Sequence, residues 1–325
     1  MNVAIIGCGL IGQKRADALG EHRLVAAVDR APEKAAALAR SRPGVRAGSR
    51  WREAVTAPDV DIVIAATTND CLAAVTLAAV KAGKHVLVEK PAARNAAELE
   101  PVLEAAAAAG VRVKVGFNLR RHPALRKAKE LVDEGTLGPL LFIRGRYGHG
   151  GRPGYHREWR ARPEIAGGGE LLDQGVHLID LSRWFLGEFN RAGGLVRTFY
   201  WPMPVEDNGF ILLQTPAGQA AWLHASCTEW KNTFSFEIYG RDGKLHAEGL
   251  GGSYGPERLT YYKMLPEMGP PETTIWEYPF PDRSWQLDFQ ELIDAIRENR
   301  QPGGNLNDAL ATLNIIQKIY EDGKL

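Results

Sequence analysis

The sequence is short of sulfur. Its 325 residues include three cysteines, Cys8, Cys71 and Cys227, far apart and without metal-ligand spacing. So sparse a set excludes a disulfide framework and suits a reducing compartment. Charge bias is also missing. With 40 Lys and Arg against 39 Asp and Glu, the net charge is +1, so no global field draws nucleic acid or an acidic membrane. No apolar run approaches the ~20 residues needed to span a bilayer. The chain enters "NVAIIG" without the basic leader and apolar stretch of a secretion signal. His149, His156 and His177 lack a paired-ligand spacing, so no metal is expected. The expectation is a cytoplasmic protein that binds neither nucleic acid nor membrane.

What is present has two rhythms. Residues 1–120 alternate apolar runs with Ala-rich helical runs, as βαβ units do. "VAIIG", "RLVAAVD", "DIVIAAT", "HVLVEK" and "RVKVGF" read as buried strands, with a weaker strand and helix over 45–55. Residues 121–325 begin with the helix 123–135 and the strand 140–148. A Gly- and Arg-rich loop and a further helix follow. Then come strand-like segments with turns such as "TPAGQ" and "GRDGK", and finally two helices, 285–298 and 306–321. The fold class expected is α/β. A doubly wound parallel sheet over 1–120 binds a nucleotide, and an α+β domain over 121–325 has an open, mainly antiparallel sheet for substrate and self-association.

"GCGLIG", Gly7 to Gly12, matches G-x-G-x-x-G between an apolar strand and a helix. Gly7 permits the tight turn, Gly9 lets backbone approach a pyrophosphate, and Gly12 allows close helix–strand packing. Asp29 ends the second strand, 17 residues after Gly12. A carboxylate there accepts ribose hydroxyls and repels a 2′-phosphate, which favours NAD. Arg30 blurs that choice, since an arginine can hold a 2′-phosphate. The cofactor set read from these segments is Gly7, Gly9, Leu10, Ile11, Gly12, Asp29, Arg30, Thr67, Thr68, Asn69, Glu89 and Lys90.

"VLVEKPA" places Lys90 at the end of a parallel strand, where ligands of open α/β sheets bind. "GGGELLDQGVHLID" (167–180) puts Asp173 and His177 four residues apart on one helix face, with Glu170 and Asp180 on the same stripe. A solvated stripe explains that pattern as well as a cleft does, so the helix alone leaves both readings open. The combination of "GCGLIG", "VLVEKP" and "GGGELLDQGVHLID" resembles the glucose–fructose oxidoreductase and inositol dehydrogenase family, Gfo/Idh/MocA. "TTNDCLAAVTLAAVKAGKHVLVEKPAA" and "VGFNLRRHPALRKAKELVDEGTLGPL" extend the likeness over nearly the whole chain. The resemblance implies a Rossmann domain, a catalytic set of Lys90, Asp173 and His177, and a homodimer or homotetramer. One departure stands out: where many members carry Asn-x-x-His after the fourth strand, this chain reads Asn69-Asp70-Cys71-Leu72.

The reaction expected is hydride transfer between nicotinamide and a secondary hydroxyl or ketone of a sugar. His177 or Lys90 carries the proton, and Asp173 orients the imidazole or the sugar. The stretch 143–162 carries Arg144, Arg146, Arg152, Arg157, Arg160 and Arg162 against one acid, Glu158. Arginine forks suit phosphate, so a nucleotide-activated sugar of the UDP-N-acetylglucosamine type, oxidised at its 3-position, is expected. The chain looks similar to that branch. Asn118, Arg152, Tyr155, His156 and Arg160 then join Lys90, Asp173 and His177 in holding the substrate. A surface loop or subunit contact explains the arginines as readily. A free sugar or inositol is the alternative substrate, and a non-catalytic NAD-binding regulator the alternative class. The aromatic segments around Trp222, Trp230, Phe234 and Phe236 are the expected self-association face.

Overall fold

The first apolar run becomes the central strand of a parallel sheet in the computed structural model, which describes residues 1–322. Contacts divide the chain into two units. The first alternates β1 (Asn2–Ile6), α1 (Leu10–Asp17), β2 (Arg23–Val28), α2 (Pro32–Arg40), β3 (Arg46–Gly48), α3 (Trp51–Thr56), β4 (Ile62–Ala65), α4 (Asn69–Lys81), β5 (His85–Val88), α5 (Ala96–Ala109) and β6 (Val113–Val115). The strands run parallel in the order β3-β2-β1-β4-β5-β6. Order reverses beside β1, which opens a crevice at the carboxyl ends of β1 and β4. Val3 and Ile5 on β1 and Ile62 and Ile64 on β4 are wholly buried, as strands covered on both faces require.

Two later segments, Glu164–Gly167 and Trp285–Leu313, belong to this unit. The helix starting at Ser284 puts Phe289, Leu292 and Ile293 into the same apolar core as Val3, Ile5 and Leu24. It also supplies Asp288 to a buried ionic network. The Arg15 guanidinium donates to Glu89 Oε1 (2.6 Å) and to Asp288 Oδ2 (2.9 Å). Lys114 Nζ lies 2.6 Å from Asp288 Oδ1 and donates to the carbonyls of Val115 and Gly303. Burial opposes the charge on Arg15, but Glu89 and Asp288 outweigh it and push its pKa up. Gly116 makes the room, since a Cβ there would sit 2.8 Å from both Arg15 and Glu89.

The second unit comprises Leu119–Pro163, Gly168–Ser284 and the chain from Asn314 on. After α6 (Pro123–Asp133), β7 (Leu140–Gly148) leads through a long loop and α7 (Pro163–Ala166) to α8 (Val176–Leu186). There follow β8 (Arg191–Arg197), β9 (Asn208–Gln214), β10 (Ala220–Ser226), β11 (Thr233–Gly240), β12 (Gly243–Glu248), β13 (Glu257–Lys263) and β14 (Glu272–Tyr278), then α9 (Ser284–Arg297) of the first unit and α10 (Leu306–Asp322), whose later part from Asn314 returns to the second. Strand order is β14-β13-β12-β11-β7-β10-β9-β8, antiparallel except where β7 meets β10. One face packs on α8: a Cβ on Gly145 would lie 3.0–3.2 Å from Leu223, Phe236 and Leu178.

The period of two corrects the expected self-association face. Phe234 and Phe236 fall on the helix-covered face and are 4% and 0% exposed, whereas Trp222 and Trp230 are 57% and 64% exposed. Trp222 registers with Leu212 on β9 and Arg144 on β7.

Asp288 is the carboxylate shared by Arg15 and Lys114, so its removal takes an anion from both buried cations. Asp288→Asn is therefore expected to destabilise the first unit by about 3–5 kcal/mol. A urea midpoint equal to wild type would show that the network is dispensable.

Candidate functional site

Parallel strands carry every residue that follows them to one sheet edge. Gly7 follows β1, Asp29 and Arg30 follow β2, Thr67 and Thr68 follow β4, Glu89 and Lys90 follow β5, and Asn118 lies beyond β6. The glycines of the first turn divide the work. Gly7 has φ +96° and a Cβ there would meet Ala66 O at 2.3 Å, and one on Gly12 would meet Gly7 O at 2.0 Å. Both are demanded by packing. A Cβ on Gly9 meets nothing within 4 Å, so packing within the chain does not demand that glycine. Gly9 is the N-cap of α1, which has no side-chain cap and no acid in its first turn. Its amides and dipole are thus presented to an anion. Asp29 fixes the loop by accepting the amides of Cys8 (2.8 Å) and Ala31 (2.9 Å). Cys8 is wholly buried, and burial together with Asp29 pushes its thiol up to about 12. Leu10 is 72% exposed at the mouth of the turn, and Ile11 is half-buried.

Thr68 donates to Asp70 (2.6 Å), Thr67 donates to the Thr68 carbonyl (3.0 Å), and Asn69 donates to the Ala166 carbonyl (2.8 Å). Glu89 turns inward to Arg15 and serves the buried network, while Lys90 beside it is half-buried. Asn118 is half-buried and opens a 3₁₀ turn.

In the second unit a π-turn, Leu171–Gly175, runs into α8. Such turns recur at functional sites. The acid–imidazole stripe is not a solvated face: Glu170, His177 and Asp180 are 1%, 5% and 1% exposed, and Asp173 is half-buried. Glu170 accepts the Tyr155 hydroxyl (2.8 Å) and Asp180 is held bidentately by Arg120 (2.6 and 2.8 Å). His177 packs edge-on to the Tyr147 ring at 5.8 Å. Tyr147 is pushed well up, by burial first and then by Tyr254, Asp173 and Glu170, so it stays neutral. Gly168 and Gly169 are packing glycines, since Cβ atoms there would meet Tyr320 Oη at 2.1 Å and Glu206 O at 2.0 Å. Glu206 accepts the amides of Gly169 and Leu171 and the Tyr320 hydroxyl.

The arginine segment meets more acid than its own sequence holds. Arg144 and Arg146 lie on β7, where Arg144 pairs with Glu237 (2.5 Å) and Arg146 lies 3.9 Å from Glu229. Arg152 pairs with Glu158 (2.7 Å) and Arg160 with Asp173 (3.2 Å). Burial opposes the Arg160 charge, yet Asp173 and other neighbours raise its pKa. Tyr155 is buried, and half-buried His156 lies 3.2 Å from Arg157. Sequence reasoning missed Arg15, Lys114 and Asp288, and also Arg120, Glu206 and Tyr320. Arg15 left a trace, four residues from Ile11 and four from Leu19 on one apolar stripe.

The two kinds of glycine separate in an experiment. Gly9→Val is expected to keep the wild-type melting temperature and weaken NAD binding at least ~10-fold. Gly12→Val is expected to lower the melting temperature as well. Unaltered NAD affinity in Gly9→Val, by calorimetry, would remove the phosphate role.

The pattern for the "Oxidoreductase family, NAD-binding Rossmann fold" matches residues 1–117, and that for the "GFO/IDH/MocA C-terminal domain" matches residues 125–246. Levoglucosan dehydrogenase of Pseudarthrobacter phenanthrenivorans is 33% identical over 233 residues, 67% of this chain but only 59% of that protein. The 1,5-anhydro-D-fructose reductase of Ensifer adhaerens is 32% identical over 229 residues, 68% of this chain and 67% of that one. A solved structure of levoglucosan dehydrogenase in complex with NADH and L-sorbose superposes with a TM-score of 0.89 at 25% identity, covering 99% of this chain and 96% of the other. The chain belongs to the Gfo/Idh/MocA oxidoreductase family, and its first unit is an NAD-binding Rossmann domain.

Proposed function

We propose that the protein is an NAD-dependent dehydrogenase that interconverts a secondary alcohol and a ketone on a free, neutral sugar or cyclitol. The carrying observation is that Arg152 and Arg160 already face carboxylates, which leaves the loop little demand for a diphosphate. The names of the relatives, levoglucosan dehydrogenase and 1,5-anhydro-D-fructose reductase, point the same way. A nucleotide-activated sugar is the second reading, favoured by the exposed Arg157 and Arg162.

In oxidation, NAD when bound accepts the hydride from the carbinol carbon. The hydroxyl proton passes to His177, whose imidazole serves as general base. Asp173, fixed by Arg160, orients the imidazole or accepts a sugar hydroxyl. Lys90, a cation at the cofactor edge, stabilises the developing alkoxide. In the alternative assignment Lys90 itself takes the proton. Bonds balance either way: C–H and O–H break, a C=O forms, and one proton is released.

Absorbance at 340 nm with NAD and a panel of levoglucosan, glucose, inositol and UDP-N-acetylglucosamine tests the reading. Turnover of a free sugar or inositol is expected, and Arg152→Ala should leave it unchanged. Turnover of the nucleotide sugar alone, lost in Arg152→Ala, would overturn it in favour of the second reading. His177→Asn and Lys90→Ala are each expected to lower kcat by about 10²–10⁴-fold with NAD affinity retained. Near-normal kcat in both would refute the assignment.

We also propose that Phe142, Leu212 and Trp222, exposed on neighbouring strands β7, β9 and β10, contact a second copy of the chain. Trp222→Glu is expected to shift sedimentation towards monomer. A wild-type monomer at micromolar concentration would dismiss this contact.

A further inference from the structure

A chain of aromatic rings leads outward from the Asp173–His177 helix. Tyr155, whose hydroxyl rests on Glu170, has its ring 5.7 Å from Trp201. Trp201 meets Tyr200 edge-on at 5.1 Å, and Tyr200 meets Trp230 edge-on at 4.6 Å. The inner ring is buried and the outer ones are not: Phe199, Tyr200 and Trp230 are 64%, 58% and 64% exposed.

Two features hold the outer rings in place. Asp207, wholly buried, accepts the amides of Phe199 (2.8 Å), Tyr200 (2.7 Å) and Trp201 (3.0 Å). Burial raises its pKa, but these bonds and one from Asn208 outweigh that and hold it below the usual carboxylate range. The carboxylate therefore stays charged and the aromatic segment stays fixed. Trp230 sits at φ +56°, in the left-handed region. Its turn is tied to the loop after β7 by His149 N–H to Ser226 O (3.0 Å) and Glu229 N–H to His149 O (3.1 Å). A non-glycine residue there costs on the order of 1 kcal/mol, and an exposed indole gains little from folding. Backbone outliers of this kind cluster at functional sites.

We infer that Tyr200, Trp201 and Trp230 form a second sugar subsite, so that the substrate is a glycoside with a further ring beyond the one oxidised. The inference rests on the dehydrogenase reading above and names its substrate class. The reacting ring lies at Asp173 and His177, and the next ring lays its C–H face on the aromatic shelf. A nucleobase would stack there too, but it brings a diphosphate, and the nearby Arg152 is already paired with Glu158.

The test compares methyl β-D-glucopyranoside with the two-ring sugars cellobiose and maltose, on wild type and on Trp230→Gly. Glycine suits the backbone at this position, so the variant is expected to keep the wild-type melting temperature. A two-ring sugar is expected to exceed the one-ring sugar in kcat/KM by about ten-fold. Trp230→Gly is expected to erase that advantage through KM, leaving kcat and the one-ring constants unchanged. Equal constants for one and two rings would overturn the subsite. So would a variant that moves both sugars alike, or one that alters only the sedimentation of the protein. Intrinsic tryptophan fluorescence separates the two ideas. Two-ring binding that is lost in Trp230→Gly, with no NADH formed from any sugar, supports the subsite and refutes the dehydrogenase. No binding and no turnover refutes both.

Discussion

Four charges with little or no access to water organise the first unit. Arg15 lies on α1, Glu89 at the end of β5, Lys114 on β6 and Asp288 on α9, and three of the four are wholly buried. Taking an ion out of water costs several kcal/mol, and a pair offsets that only with good geometry and satisfied hydrogen bonds. The network is therefore weak evidence for stability and strong evidence for constraint. Its two cations and two anions sum to zero, and loss of any one member unbalances the four. Arg15 lies on α1 three residues after Gly12, and Glu89 immediately precedes Lys90. The placement of α1 and that of Lys90 are thus tied to one electrostatic condition, and α9, from late in the chain, completes it.

The second unit solves a related problem with a different acid. Glu206 stands at the entrance to the π-turn, taking the amides of Gly169 and Leu171 and the hydroxyl of Tyr320. Burial drives the Glu206 pKa up, against the hydrogen bonds that lower it. Close approach of Glu206 and Tyr320 is why the entrance must be glycine. The stripe that follows is then fixed residue by residue, with Tyr155 on Glu170, Arg160 on Asp173 and Arg120 on Asp180. The Tyr147 ring packs edge-on against His177.

Much of this architecture was legible in the sequence because its signals are local. Apolar runs bounded by Gly and Pro gave the parallel strands, and G-x-G-x-x-G before a helix gave the turn at β1. The strand read over 140–148 is β7 to the residue, Leu140–Gly148. What sequence could not supply was pairing at a distance. Glu89 was expected at the cofactor, but its carboxylate is 2.6 Å from an arginine 74 residues earlier. Phe234 and Phe236 looked like a surface because composition does not say which face of a strand is covered. The spacing showed the Asp173–His177 stripe and the family resemblance singled it out, whereas the groups that hold the stripe lie on segments with no periodic relation to it.

The arginine segment carries this lesson into chemistry. Read along the chain, six arginines beside one acid suggest an anion. Folded, β7 lies beside β11, so Glu237 meets Arg144 across the register, and the helix returns Asp173 to Arg160. A diphosphate would have to compete with carboxylates already in place, at separations where charge-assisted hydrogen bonds are strong. A neutral sugar faces no such competition, since it asks for hydroxyl partners and aromatic surface rather than for uncompensated positive charge. The local excess of one sign therefore says less about the ligand than the distribution of its partners does. Here that distribution is what supports the proposed uncharged substrate.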